Sequence, residues 1–576
     1  MSFYYTSERN IQIVISLLKA HGIKKVITSP GATDVAINIS LQHDPFFELF
    51  SSVDERSAAY MACGMAEESG EPVALTCTGA TSSRNYLPGL TEAFYRHIPI
   101  LAITCSRSNA CVGHNIDQVT DRSDPPRDAV RLSVHAQRIH CAEDEWDVMT
   151  KVNKAILELK RNGGGPCHIN LESYATDFNV KELPYTRKII RYYPDSSFPE
   201  LKAKRIAIFV GAHSRWNDAL THYVDSFCEC HNALVLFDCT SNYKGKYGIP
   251  ISLICDQLDY LKVKAEFDLM VHIGNTSTVL YDKTKKVWRV SEDGDLKDTF
   301  KKLEAIFQMK EEAFFAYYSN GECREMSIYK EFRKRYDEML NAIPQLPFSN
   351  VWCAQQIHDK LPVNSILHLG IRNSLRSWNY FRLPNSVYAY CNTGGFGIDG
   401  GMSSLIGASM VNKDKLYFGV FGDLLFFYDM NSIGNRDISS NVRILIINNG
   451  LGQEFKNYTC NAAKFGEETD VFIAARGHFG NQSKTLIRDY ARDLGFEYIK
   501  ASDKNEFNIS IERFLKSERY DKPMLFEVFT QTEDESMAHE LITTLSSTSK
   551  LMKKTKEYLQ TTNIPIIKNV VRKIMK

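Results

Sequence analysis

The sequence predicts an α/β protein made of three doubly wound parallel-sheet units. Two observations carry that prediction. Short apolar runs closed by Gly, Asn or Asp alternate with amphipathic helical stretches, and polar, proline-containing segments interrupt the alternation twice. Strands that alternate with helices pair in parallel and are covered on both faces. A chain of 576 residues has room for three or four domains with substantial cores.

Residues 1–180 form the first unit. Ser7 to His21 sets Ile11, Val14, Leu17 and Leu18 on one helical face and stops at Gly22. The strand Lys25 to Thr28, the loop Ser29-Pro30-Gly31 and a further helix follow. Strands at Phe47 to Ser51, Val73 to Cys77 and Ile100 to Thr104 surround the helix Ser57 to Ser69, and the unit closes near Glu172. Phe178 to Lys204 is polar and weakly periodic, and reads as a linker. The second unit, 200–320, has strands at Ile206 to Val210, Ala233 to Phe237, Leu269 to Ile273 and Val287 to Val290. Its turn Gly211-Ala212-His213-Ser214 looks like the phosphate-facing turns of dinucleotide folds but lacks the full glycine fingerprint, which favours a structural turn. The charged helix Ser327 to Leu340 and the prolines 344 and 347 lead into the third unit, 345–545. Its strands are Ile366 to Leu369, Tyr388 to Tyr390, Leu416 to Phe421 and Val442 to Ile447. Residues 546–576 read as a basic, solvated helical tail.

Composition excludes several classes. Lys plus Arg and Asp plus Glu are 69 each, so no net field draws nucleic acid or an anionic membrane. The 14 cysteines contain no CxxC pair, which argues against a zinc site or a disulfide scaffold and for reduced thiols. No apolar run approaches the roughly 20 residues that span a bilayer. The opening Met1-Ser2-Phe3-Tyr4-Tyr5-Thr6 lacks the basic and apolar regions of a secretory signal. A soluble, cytoplasmic protein is the expectation.

The chemistry concentrates at two strand ends of the third unit. Gly422-Asp423-Leu424 follows one apolar run and Asn448-Asn449 closes the next. Carboxyl ends of parallel strands are where open α/β sheets bind ligands. A carboxylate and an amide oxygen, with room for carbonyl, phosphate and water oxygens, suit a hard cation such as Mg²⁺ or Ca²⁺. A Gly-Asp pair closing a buried strand is also compatible with a purely structural role.

With Asp423 and Asn449 standing 26 positions apart, this stretch resembles the cofactor motif of the thiamine-diphosphate-dependent 2-oxo acid decarboxylase and synthase family. The Gly-Asp-Leu variant is similar to that of the menaquinone-pathway synthases within it. The resemblance implies thiamine diphosphate and Mg²⁺ as cofactors, with Asp423, Asn449 and the backbone carbonyl near Leu451 as metal ligands. It assigns the three units as pyrimidine-binding, central and diphosphate-binding domains.

Further segments extend the resemblance. Asp54-Glu55-Arg56-Ser57-Ala58 resembles the segment that carries the family's activating glutamate. Glu55 would then bond the cofactor's ring nitrogen N1′, with Asp54 as a helix cap. Asn392-Thr393-Gly394-Gly395-Phe396-Gly397-Ile398-Asp399-Gly400 resembles the family's glycine-rich turn, where backbone amides approach phosphate and Ile398 would hold the cofactor bent. Arg107 and the Asp117-Gln118 loop resemble substrate-side elements, with Gln118 near the cofactor and Arg107 on the substrate. Family precedent joins Glu55 of one subunit to Asp423 of another, which implies a homodimer or homotetramer with its sites between subunits.

The sequence also departs from the synthases. Their substrate arginines are replaced by Thr33 and Thr393, and the spacing after Asn373-Ser374-Leu375 offers Trp378, with Arg372 and Arg376 displaced from it. Arginine binds carboxylates through a two-toothed fork that Thr and Trp lack. The expectation is an enzyme that decarboxylates a small, pyruvate-like 2-oxo acid and protonates the product or passes it to an acceptor. A menaquinone synthase with a rebuilt pocket and a catalytically silent cofactor-binding or assembly protein are the alternatives.

Overall fold

The computed structural model describes residues 4–174, 177–260, 263–477 and 483–546, so the basic tail lies outside the described residues except for Ser546. The chain divides into two compact units, Met1–Phe198 with Asp293–Gln308, and Pro199–Glu292 with Met309–Lys576.

The first unit is built on a six-stranded parallel sheet. Its spatial order is Glu48–Ser51, Lys25–Thr28, Val73–Thr78, Ile100–Ser106, Cys167–Glu172, Leu132–Ala136. The inner strands are buried almost end to end, as expected where helices cover both faces. One face packs against the helices Arg9–His21 and Ala142–Glu158 through Ile11, Val14, Leu18, Val148 and Val152. The helices Glu55–Ser69 and Leu87–Tyr95 cover the other, and small residues let them approach closely. A Cβ placed on Gly89 would stand 2.5 Å from that of Ala59. Gly22 ends the first helix with φ 78°, its N–H bonded back to Lys19.

Residues 178–204 are not a plain linker. Phe178–Val180 pairs antiparallel with Tyr5–Thr6, and Ile190–Tyr192 pairs in parallel with Leu303–Gln308. Strands this short carry almost no periodicity, and their partners come from distant sequence, so polarity dominated the reading. Burial of Ile189, and of Arg191 against Glu158 at 3.1 Å, holds the second of them.

The second unit contains two parallel sheets. In one, this unit's five strands follow the order Gly248–Pro250, Leu234–Phe237, Ile206–Val210, Leu269–Ile273, Val287–Ser291. Its Gly211 turn is closed by the protein itself. A Cβ there would collide with the Asn275 carbonyl, and the Glu311 carboxylate meets His213 Nε2 at 2.8 Å and the Gly274 N–H at 3.4 Å.

The other sheet has six strands in the order Tyr388–Tyr390, Ile366–Leu369, Tyr417–Gly422, Val442–Asn448, Met524–Phe529, Glu497–Ala501. Near the start of Val442–Asn448, Arg443 is fully buried. It donates to the carbonyls of Phe514 (2.7 Å), Glu518 (2.6 Å) and Lys516, and burial lowers its pKa to about 10. All 14 cysteines are free thiols, and no helix among the described residues is long and apolar enough to cross a membrane.

Candidate active site

Parallel pairing brings the strand ends of the six-stranded sheet to one edge. Gly422 lies opposite Ile447, and Asn448 opposite Phe529. The helix Asp423–Asp429 begins directly at the strand end, which fixes the Asp423 carboxylate at the edge. Asp423 is 2% exposed, and burial pushes its carboxyl up to about 7 despite a 3.0 Å bond from the Gly450 N–H. Gly450 takes φ 78°, a left-handed turn that reverses the chain after Asn449. Asn448 donates to buried Glu527 at 2.7 Å, while the Asn449 side-chain oxygen meets the Leu451 N–H at 3.4 Å.

A cavity of about 430 Å³ opens there, and Ile398, Gly422, Asp423, Leu424, Asn449 and Leu451 all line it. Asn392, Thr393 and Gly395 are not among its lining residues. Thr393 is buried, with its N–H on the Cys391 carbonyl, and Asn392 is exposed and accepts from Ser404 at 3.1 Å. A Cβ on Gly394 or Gly395 would meet nothing within 4 Å, so this turn leaves open space. The helix that follows, Gly401–Val411, is already capped, because the Ser403 N–H and hydroxyl donate to Asp429 at 2.6 and 2.5 Å.

The cavity also contains residues that sequence reasoning passed over. Glu535 is buried there, accepts from the Asn350 N–H at 3.0 and 3.1 Å and from Thr530 at 2.7 Å, and is pushed by burial to about 7. Glu454 binds Arg376 through two bonds of 2.9 and 3.0 Å, so that guanidinium is already paired. Arg372 stands 3.8 Å from Glu454, over the Phe396 ring, and lines the cavity half-exposed. Trp378 is 0% exposed, so the indole is core.

In the first unit, Asp54 caps the helix Glu55–Ser69 by accepting from the N–H groups of Arg56 (2.9 Å) and Ser57 (3.4 Å). Glu55 accepts from Asn85 at 3.1 Å. Partial burial raises its pKa, but hydrogen bonds from Asn85 and Ser82 outweigh it and leave the carboxyl below its ordinary value. Arg107 is held by Asp117 through bonds of 2.8 and 3.1 Å, and Gln118 is exposed with φ 57°. Thr33 spends its hydroxyl on the Thr78 hydroxyl and, at 2.5 Å, on the Cys105 carbonyl.

Comparison with known proteins now bears on this geometry. Residues 10–124 match the family described as thiamine pyrophosphate enzyme, N-terminal TPP binding domain. The first unit thus resembles the thiamine-diphosphate enzymes over residues 10–124. It is 29% identical over 556 residues to the 2-succinyl-5-enolpyruvyl-6-hydroxy-3-cyclohexene-1-carboxylate synthase of Bacteroides fragilis, covering 91% of this chain and 97% of that protein. The synthase of Phocaeicola vulgatus is 29% identical over 557 residues (92% and 97%), and that of Christiangramia forsetii 27% over 575 residues (90% and 95%). The α/β sheets described above agree with the fold of such enzymes.

The residues present fit thiamine diphosphate with a divalent cation. Among the described residues no basic side chain bonds Asp423, so its buried carboxylate lacks a counter-charge that a cation would supply. The oxygen donors of Asp423, Asn449 and the Leu451 carbonyl are hard, as Mg²⁺ prefers. No cluster of three or more His, Cys, Asp and Glu that could hold a metal occurs among the described residues.

Proposed function

We propose that the protein is a thiamine-diphosphate- and Mg²⁺-dependent enzyme that removes CO₂ from a small 2-oxo acid and protonates the remaining fragment or passes it to an acceptor carbonyl. The observation that carries this reading is the single cavity lined by Ile398, Gly422, Asp423, Leu424, Asn449 and Leu451. In it Asp423, Asn449 and the Leu451 carbonyl hold the metal and Ile398 packs against the cofactor, while beside it the open Gly394-Gly395 part of the 392–400 turn offers backbone amides to the diphosphate. Bound thiamine diphosphate supplies the electron sink that takes the carbon–carbon bonding pair as CO₂ leaves.

Glu55 holds a proton at the N1′ position, a role suited to a carboxylate that stays ionised. Arg107 and Gln118 contact the donor carboxylate, and Arg372 offers a guanidinium to an anionic acceptor. Residues 1–180, 200–320 and 345–545 serve as pyrimidine-binding, central and diphosphate-binding domains. Two copies complete each site, Glu55 from one and Asp423 from the other. That arrangement is supported by exposed apolar residues near each, Val53, Tyr60 and Met61 beside Glu55, and Phe465, Val471 and Phe472, the last 95% exposed, beyond the metal loop. A cytoplasmic location belongs to the same reading.

A second reading, condensation of 2-oxoglutarate with isochorismate, is favoured by the similarity to the synthases along nearly the whole chain. The committed Thr33 hydroxyl and the buried Trp378 weigh against it. CO₂ release from a panel of 2-oxo acids, measured with both cofactors present and with and without isochorismate, separates the two by which acid is consumed and whether the acceptor is joined to it. Turnover of pyruvate-like acids is expected. Efficient condensation of 2-oxoglutarate with isochorismate establishes the second reading instead, and no CO₂ from any acid, with cofactor bound, overturns both.

A further inference from the structure

A second cleft opens at the carboxyl edge of the same six-stranded sheet. The outer strand Glu497–Ala501 runs into Ser502, its neighbour Met524–Phe529 runs towards Gln531, and the helix Leu486–Asp493 contributes a wall. The cleft has a volume of about 490 Å³ and shares no lining residue with the cavity that holds Asp423. Small-molecule sites span roughly 300–1,000 Å³.

Its lining is one-sided in charge. Lys484, Arg488, Arg492 and Lys500 line it and no Asp or Glu does, in a chain whose acids and bases balance at 69 each. Arg488 and Arg492 are one helical turn apart, so like charges are held together on one helix face against their mutual repulsion. The nearby acids leave most of this charge unbalanced. Asp489 takes Arg488 through bonds of 2.7 and 3.2 Å. Glu527 is buried and turned to the Tyr498 hydroxyl and the Asn448 amide, each at 2.7 Å. Glu506 accepts from the Ser502 N–H at 2.8 Å. Lys484, Arg492 and Lys500 form no ion pair with a carboxylate among the described residues, although the Arg492 charge also acts on Asp489. Arg492 lies over the Tyr498 ring at 5.6 Å, and the Ser502 hydroxyl adds a further donor, while that of Thr485 is bonded to Asp489.

We infer that this cleft binds a compact, multiply charged phosphate ester at a site separate from the cofactor cavity. Three cations with no ion pair among the described residues, a hydroxyl donor and an aromatic wall match phosphate oxygens carried on a small organic body. The inference does not depend on which 2-oxo acid the enzyme uses.

The test is calorimetry on the full-length protein loaded with thiamine diphosphate and Mg²⁺, which keeps the cofactor cavity occupied. Inorganic phosphate and a hexose bisphosphate are the probes, at low ionic strength. The bisphosphate is expected to bind once per chain, more tightly than phosphate, and to weaken as salt is added. Arg492→Glu and Lys500→Glu, both at exposed positions, should each weaken it by about ten-fold or more, with the melting temperature unchanged and Arg492→Lys retaining most of the affinity. The inference is overturned if neither probe binds the wild-type protein. It is equally overturned if both charge reversals leave binding unchanged.

Discussion

Asp423 and Glu55, the two carboxylates assigned to one cofactor, sit in opposite surroundings. Asp423 is enclosed in a walled cavity, and desolvation holds its carboxyl far above its ordinary value. Glu55 stands at an open sheet edge, where hydrogen bonds from Asn85 and Ser82 keep it below its ordinary value. No basic side chain bonds the buried group among the described residues, whereas hydrogen bonds keep the open one ionised. In the proposed reading the cation completes Asp423 within its own fold unit, and a second copy supplies the surface that covers Glu55.

Asp423→Ala tests the buried side and should have the largest effect. Joint binding of cofactor and metal, followed by calorimetry, should weaken on the order of 100-fold or more, because the charged metal ligand is gone. Unchanged binding would break the contrast. On the open side, Glu55→Gln should keep most of the cofactor affinity and lose turnover by about 100- to 10,000-fold. Exchange of the cofactor's C2 proton, read by NMR, should slow in parallel, and a normal exchange rate would remove Glu55 from that role.

The smallest effect concerns Glu535, which shares the buried environment without a place among the proposed metal ligands. Its folded-state pKa of about 7 lies above the ordinary 4.5, so between these values the folded chain keeps a proton that the unfolded chain has released. Its contribution to stability is therefore greatest below pH 4.5 and is lost as pH rises through 7. Glu535→Gln removes that slope, and the cofactor-free variant should gain about 1–3 kcal/mol over wild type at pH 8 and nothing at pH 4. Denaturation midpoints that run parallel across this range would show that Glu535 does not carry the burial cost.

These contrasts also explain what was legible in the sequence. Asp423 and Asn449 could be read because each sits where an apolar run stops, and parallel pairing carries such stops to one edge. Glu535 could not. Its partner Asn350 lies 185 positions away, and within its own helix it is one of three consecutive acids that look like an ordinary first turn. The pairing of Arg107 with Asp117 was hidden in the same way, since a guanidinium in a loop shows nothing of the carboxylate that will occupy it. The strands inside 178–204 escaped because three residues are too few to display a period.

Arg443 adds a last consequence. It anchors the near end of the strand Val442–Asn448 to three carbonyls of the 514–518 segment, and Asn449 leaves the far end, about 20 Å away at roughly 3.3 Å per residue. A β-strand is stiff along its length, so the strand acts as a fixed ruler with its zero mark at Arg443. Shortening that anchor to Lys would supply one ammonium where a fork now satisfies three acceptors. The error would surface as a displaced Asn449 amide at the proposed metal site, far from the substituted residue.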